Sequence, residues 1–242
     1  SVGYTHNLYG KRILENSCGD GNILVAVVQR YIDDCRENGM SRTKIKNGLA
    51  KDIYGIEIDK EQYEKCINNL NDVLKRNNIG NVDWKIVNED YLKWNSITKF
   101  QYIVGNPPYI TYSELKEEEQ LFVKGNFETC VKGKFDYCYA FIEKSIKSLA
   151  NDGKMSYLIP SSIYKTVFGN NLRTFMCPYI TKIKDYKQVK IFDKALVKSS
   201  IMVLDKQRQN DVLRYHDMSM ETEMEIPIER LEEKWFFAEE NE

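Results

Sequence analysis

The chain has 242 residues, 42% of them apolar, and a formal net charge of −1, which fits one large α/β domain, or a domain plus a fragment, with a sizeable core. A balance so close to neutral excludes a chain that binds polyanions by bulk charge alone. No apolar run approaches the ~20 residues that span a membrane and no signal peptide opens the chain, so a cytoplasmic location without membrane contact is expected.

Residues 11–15 read as a short strand, followed by the glycine-bearing turn 16–22. Residues 23–36 place apolar side chains at helical spacing. Residues 52–58 read as a second strand, 60–75 as a second helix, 82–87 as a third strand and 100–104 as a fourth. Residues 113–131 are polar with helical stretches and read as a mobile excursion. An amphipathic helix is expected over 135–150, closed by Asn151-Asp152-Gly153. A strand over 154–159, a helical stretch over 161–176 and late strands over 183–189 and 200–204 complete the pattern. This alternation predicts an α/β fold, a doubly wound and mostly parallel sheet of seven strands with helices on both faces. After Lys206 the sequence turns acidic, with Met218, Met220 and Met224 and no clear period. Residues 1–206 are therefore read as one domain, and 207–242 as a linker or the start of a following domain. The six cysteines form no Cys-x-x-Cys pair and only two histidines are present, so no metal site is expected and the cysteines read as reduced.

The fourth strand ends in Val104-Gly105-Asn106-Pro107-Pro108-Tyr109. In open α/β sheets ligands bind at the carboxyl ends of strands. Pro107 precedes a second proline, which holds its backbone extended, and neither proline has an N–H. The Pro107 carbonyl and the Asn106 side-chain oxygen are thus two rigid acceptors, suited to an amino group with two hydrogens. Tyr109 adds a flat face for stacking a ring. A plain turn after a strand would use the same residue types.

A second constellation surrounds Ser17-Cys18-Gly19-Asp20-Gly21-Asn22, between the first strand and the first helix. Glycines there let the backbone approach a ligand, and a helix N-terminus favours an anionic group. Glu57 ends the second strand and could accept from both ribose hydroxyls; its alternative is a surface or capping acid, a role that suits Asp59. Asp90 follows the third strand and could accept from an adenine amino group, or cap a helix. A basic stretch from Lys182 to Lys206 could touch phosphates or be a solvated face.

A glycine loop, two strand-end acids and Asn-Pro-Pro-Tyr in this order resemble the N6-adenine DNA methyltransferases of restriction–modification systems. The first block, Arg12-Ile13-Leu14-Glu15-Asn16-Ser17-Cys18-Gly19-Asp20-Gly21-Asn22, departs from the family pattern at Asn16, where proline is usual. The resemblance continues through the segment from Gly133 to Phe141, through Leu158-Ile159-Pro160-Ser161-Ser162 and through the block from Ile191 to Val203, and covers almost all of residues 11–206. It implies S-adenosylmethionine as cofactor, with Glu15, Ser17, Cys18, Gly19, Gly21, Asn22, Glu57, Ile58, Asp90, Tyr91, Asn106 and Phe141 around it. It implies Asn106, Pro107, Pro108 and Tyr109 as the catalytic tetrad. It implies a flipped adenine in duplex DNA stacked between Tyr109 and Phe192, with Lys198 near a phosphate. The helix that usually precedes the first strand has no room between Tyr4-Thr5-His6 and Lys11. Too little sequence follows to build the family's separate recognition domain, so that domain is expected outside this chain. Related readings of the same tetrad are a methyltransferase acting on a glutamine side chain or an RNA base, and a cofactor-binding subunit without catalysis.

Overall fold

The structure, a computed structural model, describes residues 2–187, 198–208 and 211–237. The chain divides into two compact units, residues 1–106 with 148–153 and residues 107–147 with 154–242.

The first unit is built on four parallel strands, β1 (Ile13–Glu15), β2 (Ile53–Ile56), β3 (Lys85–Val87) and β4 (Phe100–Gly105), in the order β3-β2-β1-β4. Leu14 lies beside Tyr54 on one side and Ile103 on the other. All residues of β1 and β2 are buried, as expected of strands enclosed on both faces. Helix α1 (Asn22–Glu37) presents Leu24, Val27, Val28, Tyr31, Ile32 and Cys35 to the core, and α3 (Lys60–Arg76) presents Cys66, Leu70, Val73 and Leu74. Asp59 caps α3 by accepting from Gln62 N at 2.9 Å, the role its sequence position suggested. Chain order runs outward from β1 to β3 and then returns to place β4 on the other side of β1. That reversal is a topological switch point, where such sheets open a crevice at the strands' carboxyl ends.

One helix of this unit has no counterpart among the predicted elements. Helix α2 (Arg42–Asp52) is polar, contains Gly48, and has little amphipathic pattern to read. Tertiary fit supports it: a Cβ on Gly48 would lie 2.2 Å from the Tyr31 hydroxyl. Only glycine lets α2 pack so closely on α1. Asp52 then accepts from Tyr31 Oη at 2.6 Å and from Gly10 N at 2.7 Å.

Strand β5 (Leu149–Pro160) begins in the first unit and continues in the second. It runs through Asn151-Asp152-Gly153, where a turn was expected. A Cβ on Gly153 would lie 2.7 Å from the Phe100 carbonyl oxygen, so this glycine serves close backbone approach within the strand.

In the second unit the remainder of β5 pairs antiparallel with β7 (Ser199–Asp205), which pairs antiparallel with β6 (Ile180–Asp185). Strand β8 (Val212–Asp217) lies parallel to β6 and forms a hairpin with β9 (Thr222–Pro227). The expected α/β arrangement with flanking helices is the one found, but the described residues contain nine strands rather than seven. Residues 207–242, read as a linker or the start of a following domain, contain β8 and β9. Cross-strand pairing organises these strands, and Trp235 beyond them is buried and stacked on Tyr164 with centroids 6.0 Å apart. Residues 113–131, expected as a mobile excursion, hold a helical turn at Tyr112–Glu114, helix α4 (Glu117–Asn126) and a turn at Glu128–Cys130. The buried Glu143 of α5 (Cys138–Ser148) accepts from Thr129 N at 2.8 Å and fastens that last turn. The helical stretch expected over 161–176 is broken into turns at Ser161–Tyr164 and Val167–Gly169 followed by α6 (Asn170–Met176). No helix among the described residues is long and apolar enough to cross a membrane.

Candidate active site

At the switch point of the first unit, the loop after β1 meets the end of β4. Ser17 Oγ donates to the Asn106 carbonyl at 3.1 Å. The loop is also tied to β2, because Cys18 N donates to the Ile56 carbonyl at 3.0 Å and Gly19 N to Glu57 Oε2 at 2.7 Å. Gly19 and Gly21 have φ of +53° and +85°, a region that L side chains rarely adopt. Open space lies where a Cβ on Gly19 would stand, whereas one on Gly21 would lie 2.6 Å from Cys66 Sγ. The first glycine therefore faces the crevice and the second lets α3 pack beneath the loop. Cys18 is buried, and its hydrogen bond with Cys66, together with burial, pushes its thiol well above the usual range. Cys18 is thus a neutral floor of the loop. Asn22 opens α1 with its side chain turned to Asp20 Oδ1 at 2.7 Å.

Glu57 accepts one backbone N–H on each oxygen, from Gly19 and from Asp59 (2.9 Å). Each carboxylate oxygen retains a lone pair. Asn88, at the end of β3, donates to the carbonyls of Glu57 and Ile58 at 2.8 and 2.9 Å and so fixes the end of β2. Ile58 is 69% exposed beside it. Sequence reasoning missed Asn88 and Cys66. Neither has a local signal, since each acts on a segment distant in sequence. Asp90 accepts from Leu92 N at 2.9 Å and lies 3.6 Å from Lys93 Nζ, the capping alternative for that residue, and Tyr91 is buried.

Glu15 is 2% exposed. It accepts from the Leu24 backbone N–H in the first turn of α1, yet burial pushes its carboxyl well above the usual range, with Cys66 and Glu57 adding to the shift. Its Oε2 is buried and among the described residues has no hydrogen-bond partner. An orphaned buried oxygen costs on the order of 1–3 kcal/mol.

Asn106 is exposed, and among the described residues its side-chain amide makes no hydrogen bond. Pro107, with which the second unit begins, is buried. In that unit the chain after the tetrad is fixed by Tyr137 N donating to the Ile110 carbonyl at 2.9 Å and by a bridge between Thr111 and Asp136. Tyr109 is half-buried, with its hydroxyl buried and, among the described residues, unpartnered. Burial, reinforced by Cys138 and Asp136, keeps that hydroxyl protonated. Phe141 is 5% exposed and packs edge-on to Tyr137 at 5.6 Å. Lys198 is exposed, with its carbonyl held by Ser161 N at 2.8 Å. Phe192 lies outside the described residues. Among the described residues no group of three or more His, Cys, Asp or Glu side chains could hold a metal ion.

The geometry can be set beside known proteins. The model of the Eco57I restriction-modification methylase family matches residues 8–192. The chain is 30% identical over 187 residues to Type II methyltransferase M.BstVI of Geobacillus stearothermophilus, covering 72% of this chain and 33% of that protein. It is 31% identical over 167 residues to modification methylase CviBIII of Paramecium bursaria Chlorella virus NC1A, covering 69% and 35%. The chain thus spans about a third of the length of these curated relatives. Among solved structures, a Listeria monocytogenes protein assigned to the class I S-adenosylmethionine-dependent methyltransferases superposes with a TM-score of 0.64 at 16% identity, over 86% of this chain and 59% of that one. The structure of a DrdV–DNA complex superposes with a TM-score of 0.68 at 15% identity, over 87% and 25%. Likeness at these identities establishes the class I methyltransferase fold. With most of its length matched by the family model, the chain belongs to the Eco57I restriction-modification methylase family.

Proposed function

We propose that this chain is the catalytic portion of a DNA methyltransferase. It transfers a methyl group from S-adenosylmethionine to the N6 amino group of an adenine flipped out of duplex DNA, as the modification activity of a restriction–modification system. The observation that carries the reading is Asn-Pro-Pro-Tyr at the carboxyl end of β4, with Asn106 tied through its backbone to Ser17 of the glycine loop. Family membership supports the DNA substrate, and the relatives' greater length supports a recognition domain elsewhere in the full protein. A DNA substrate inside the cell supports a cytoplasmic location.

The residues present fit the cofactor. Glu15 offers a buried acceptor with a vacant lone pair, Gly19 leaves an open cradle, and Glu57 is aimed by two backbone donors with capacity for ribose hydroxyls. S-adenosylmethionine, when bound, supplies an electrophilic methyl on a sulfonium. Adenine N6 is a poor nucleophile because its lone pair is delocalised into the ring. Asn106 Oδ1 and the Pro107 carbonyl each accept one N6 hydrogen. This favours a tetrahedral nitrogen and stabilises the positive charge that develops on it, by positioning and preorganised electrostatics. N6 loses its extra proton after transfer, so no strong base has to act first. The target nitrogen is inaccessible inside a duplex, which calls for base flipping. The anchored, neutral ring of Tyr109 offers a stacking surface, with Phe192 as the second. Base–aromatic stacking contributes roughly 1–3 kcal/mol per base.

The test is methyl transfer by the full-length protein from labelled cofactor to duplex DNA, followed by nucleoside analysis. N6-methyladenine is expected, and the label should be lost in Asn106→Ala. Label on cytosine, on RNA or on protein instead would overturn the reading.

A further inference from the structure

In the second unit, two exposed segments outside the tetrad meet. Segment 131–134 reads Val131-Lys132-Gly133-Lys134 and is exposed throughout. Segment 165–168 reads Lys165-Thr166-Val167-Phe168, with Lys165, Val167 and Phe168 exposed. They touch through Gly133, whose φ is +75°; a Cβ there would lie 2.2 Å from the Phe168 ring, so the ring rests directly on the glycine. Val167 is 68% exposed, Val131 48% and Phe168 47%. Three lysines surround these apolar groups, and neither segment contains an acid. Among the described residues none of the three lysines is in an ion pair, and Lys165 sits 5.5 Å from the centroid of the Phe236 ring. A local charge of three in a chain of net charge −1 is a departure from its average surface.

The tip is also held from below. Arg173 is 2% exposed and donates through Nη1 to the carbonyls of Ile163 and Thr166 at 2.8 and 2.9 Å. A Cβ on Gly169 would lie 2.6 Å from that Nη1, so the turn after Phe168 closes tightly on the guanidinium. A buried cation has thus been used to hold carbonyls that would otherwise be free, and the cost is met by these hydrogen bonds. The result is a preformed tip with apolar side chains outward and cations around them.

Resting on the DNA reading above, we propose that this tip is a second DNA-contacting surface. Lys132, Lys134 and Lys165 neutralise backbone phosphates of the duplex, and Val167 with Phe168 lies against the groove between them. Phosphates supply sequence-independent affinity to lysines, and apolar side chains that face a groove are a recurrent feature of proteins that deform DNA. The charge distribution favours a polyanion over a neutral apolar partner.

The test uses the full-length protein and a short fluorescent duplex of arbitrary sequence, titrated across salt concentrations. Removing the three lysines together by alanine substitution should lower the slope of log affinity against log salt by about 2 to 3. Phe168→Ser with Val167→Ser should weaken binding several-fold and leave the slope unchanged. Lys75→Ala, an exposed lysine of α3 paired with Asp72, should change neither, and cofactor affinity and Tm should hold in every variant. Unchanged slope and affinity, in a protein that still methylates DNA, would overturn the proposal while leaving the reading of the active site intact. A parent protein with no action on DNA would overturn both. Binding of polyglutamate as tightly as duplex, lost in the same lysine variant, would assign the face to an acidic protein and overturn the DNA contact.

Discussion

Both units place acids at the carboxyl ends of parallel strands, and the two sets are satisfied very differently. In the second unit Asp185, at the end of β6, accepts from Ser161 Oγ at 2.8 Å, Tyr215 Oη at 2.9 Å and Lys187 N at 3.2 Å. Asp217, at the end of the neighbouring β8, pairs with Lys187 and accepts from Ser219 N and Oγ and from Met220 N. In the first unit Glu15 keeps an orphaned oxygen, Glu57 holds one bond per oxygen, and Asn106 leaves its amide to solvent. Residue type and strand position are alike in the two places. What separates a structural acid from one with capacity for a ligand is the number of donors the fold has already supplied. Buried polar groups are normally paired, so the unpaired Glu15 oxygen at the end of β1 supports the ligand position proposed above.

The sharpest way to break this contrast is Asn106→Ala. The side chain supports nothing in the fold, while its backbone bond to Ser17 survives truncation. Loss of preorganised polar contacts to a reacting group costs about 100-fold or more in turnover. Methyl transfer should therefore fall by at least that much, with Tm and cofactor affinity unchanged by calorimetry. Turnover near the parent value would remove Asn106 from the chemistry. Glu57→Ala comes next. Hydrogen bonds to a charged group contribute about 1.5–3 kcal/mol, so cofactor affinity should fall roughly tenfold or more by isothermal titration, and an unaltered Kd would return Glu57 to the surface acids.

The saturated set predicts the opposite outcome. Burial raises the Asp217 carboxyl, but Lys187, Ser219 and Met220 outweigh it and hold the group at about 2. A depressed value stabilises the fold above the ordinary carboxylate range, and that contribution is lost as pH falls toward 2. Asp217→Asn should lower Tm at neutral pH and flatten the acid limb of the stability curve, with cofactor affinity intact. A steep limb retained in the variant would contradict the assignment. The smallest effect is expected at Glu15. Its raised value means that the folded state holds the proton more firmly than the unfolded chain does. Stability is then full below about 4.3, the ordinary glutamate value, and declines as pH rises from there toward the folded value. Glu15→Gln should raise Tm by an amount that grows over that pH interval and vanishes below it, while weakening cofactor binding. A Tm gain independent of pH would show that the carboxyl titrates normally.

The alternation of strand and helix patterns, the turn after β1 and the tetrad after β4 were legible because each depends on neighbours in the chain. Proline and glycine act through their own dihedrals, and α1 and α3 carry apolar stripes that can be counted. Helix α2 escaped because its reason for existing is Gly48 against Tyr31, a contact between helices. Strands β8 and β9 escaped because a stretch with no clear period becomes strand only when β6 offers β8 a partner edge and β8 offers one to β9. For Asp90 a base contact and a cap were both open from its position, and the structure shows Oδ1 accepting from Leu92 N.

From the sequence alone came the α/β class, the order of motifs, and the residues able to offer two rigid acceptors to an amino group. These are properties of short segments, and short segments are governed by local sterics and periodicity. Only the tertiary structure decided which acids retain unused acceptor capacity. It alone joined Ser17 to Asn106, placed Cys66 beneath Gly21, and set Phe168 on Gly133. Each of these depends on where distant backbone is brought, and in a close-packed fold that is set by all the contacts together rather than by any one segment.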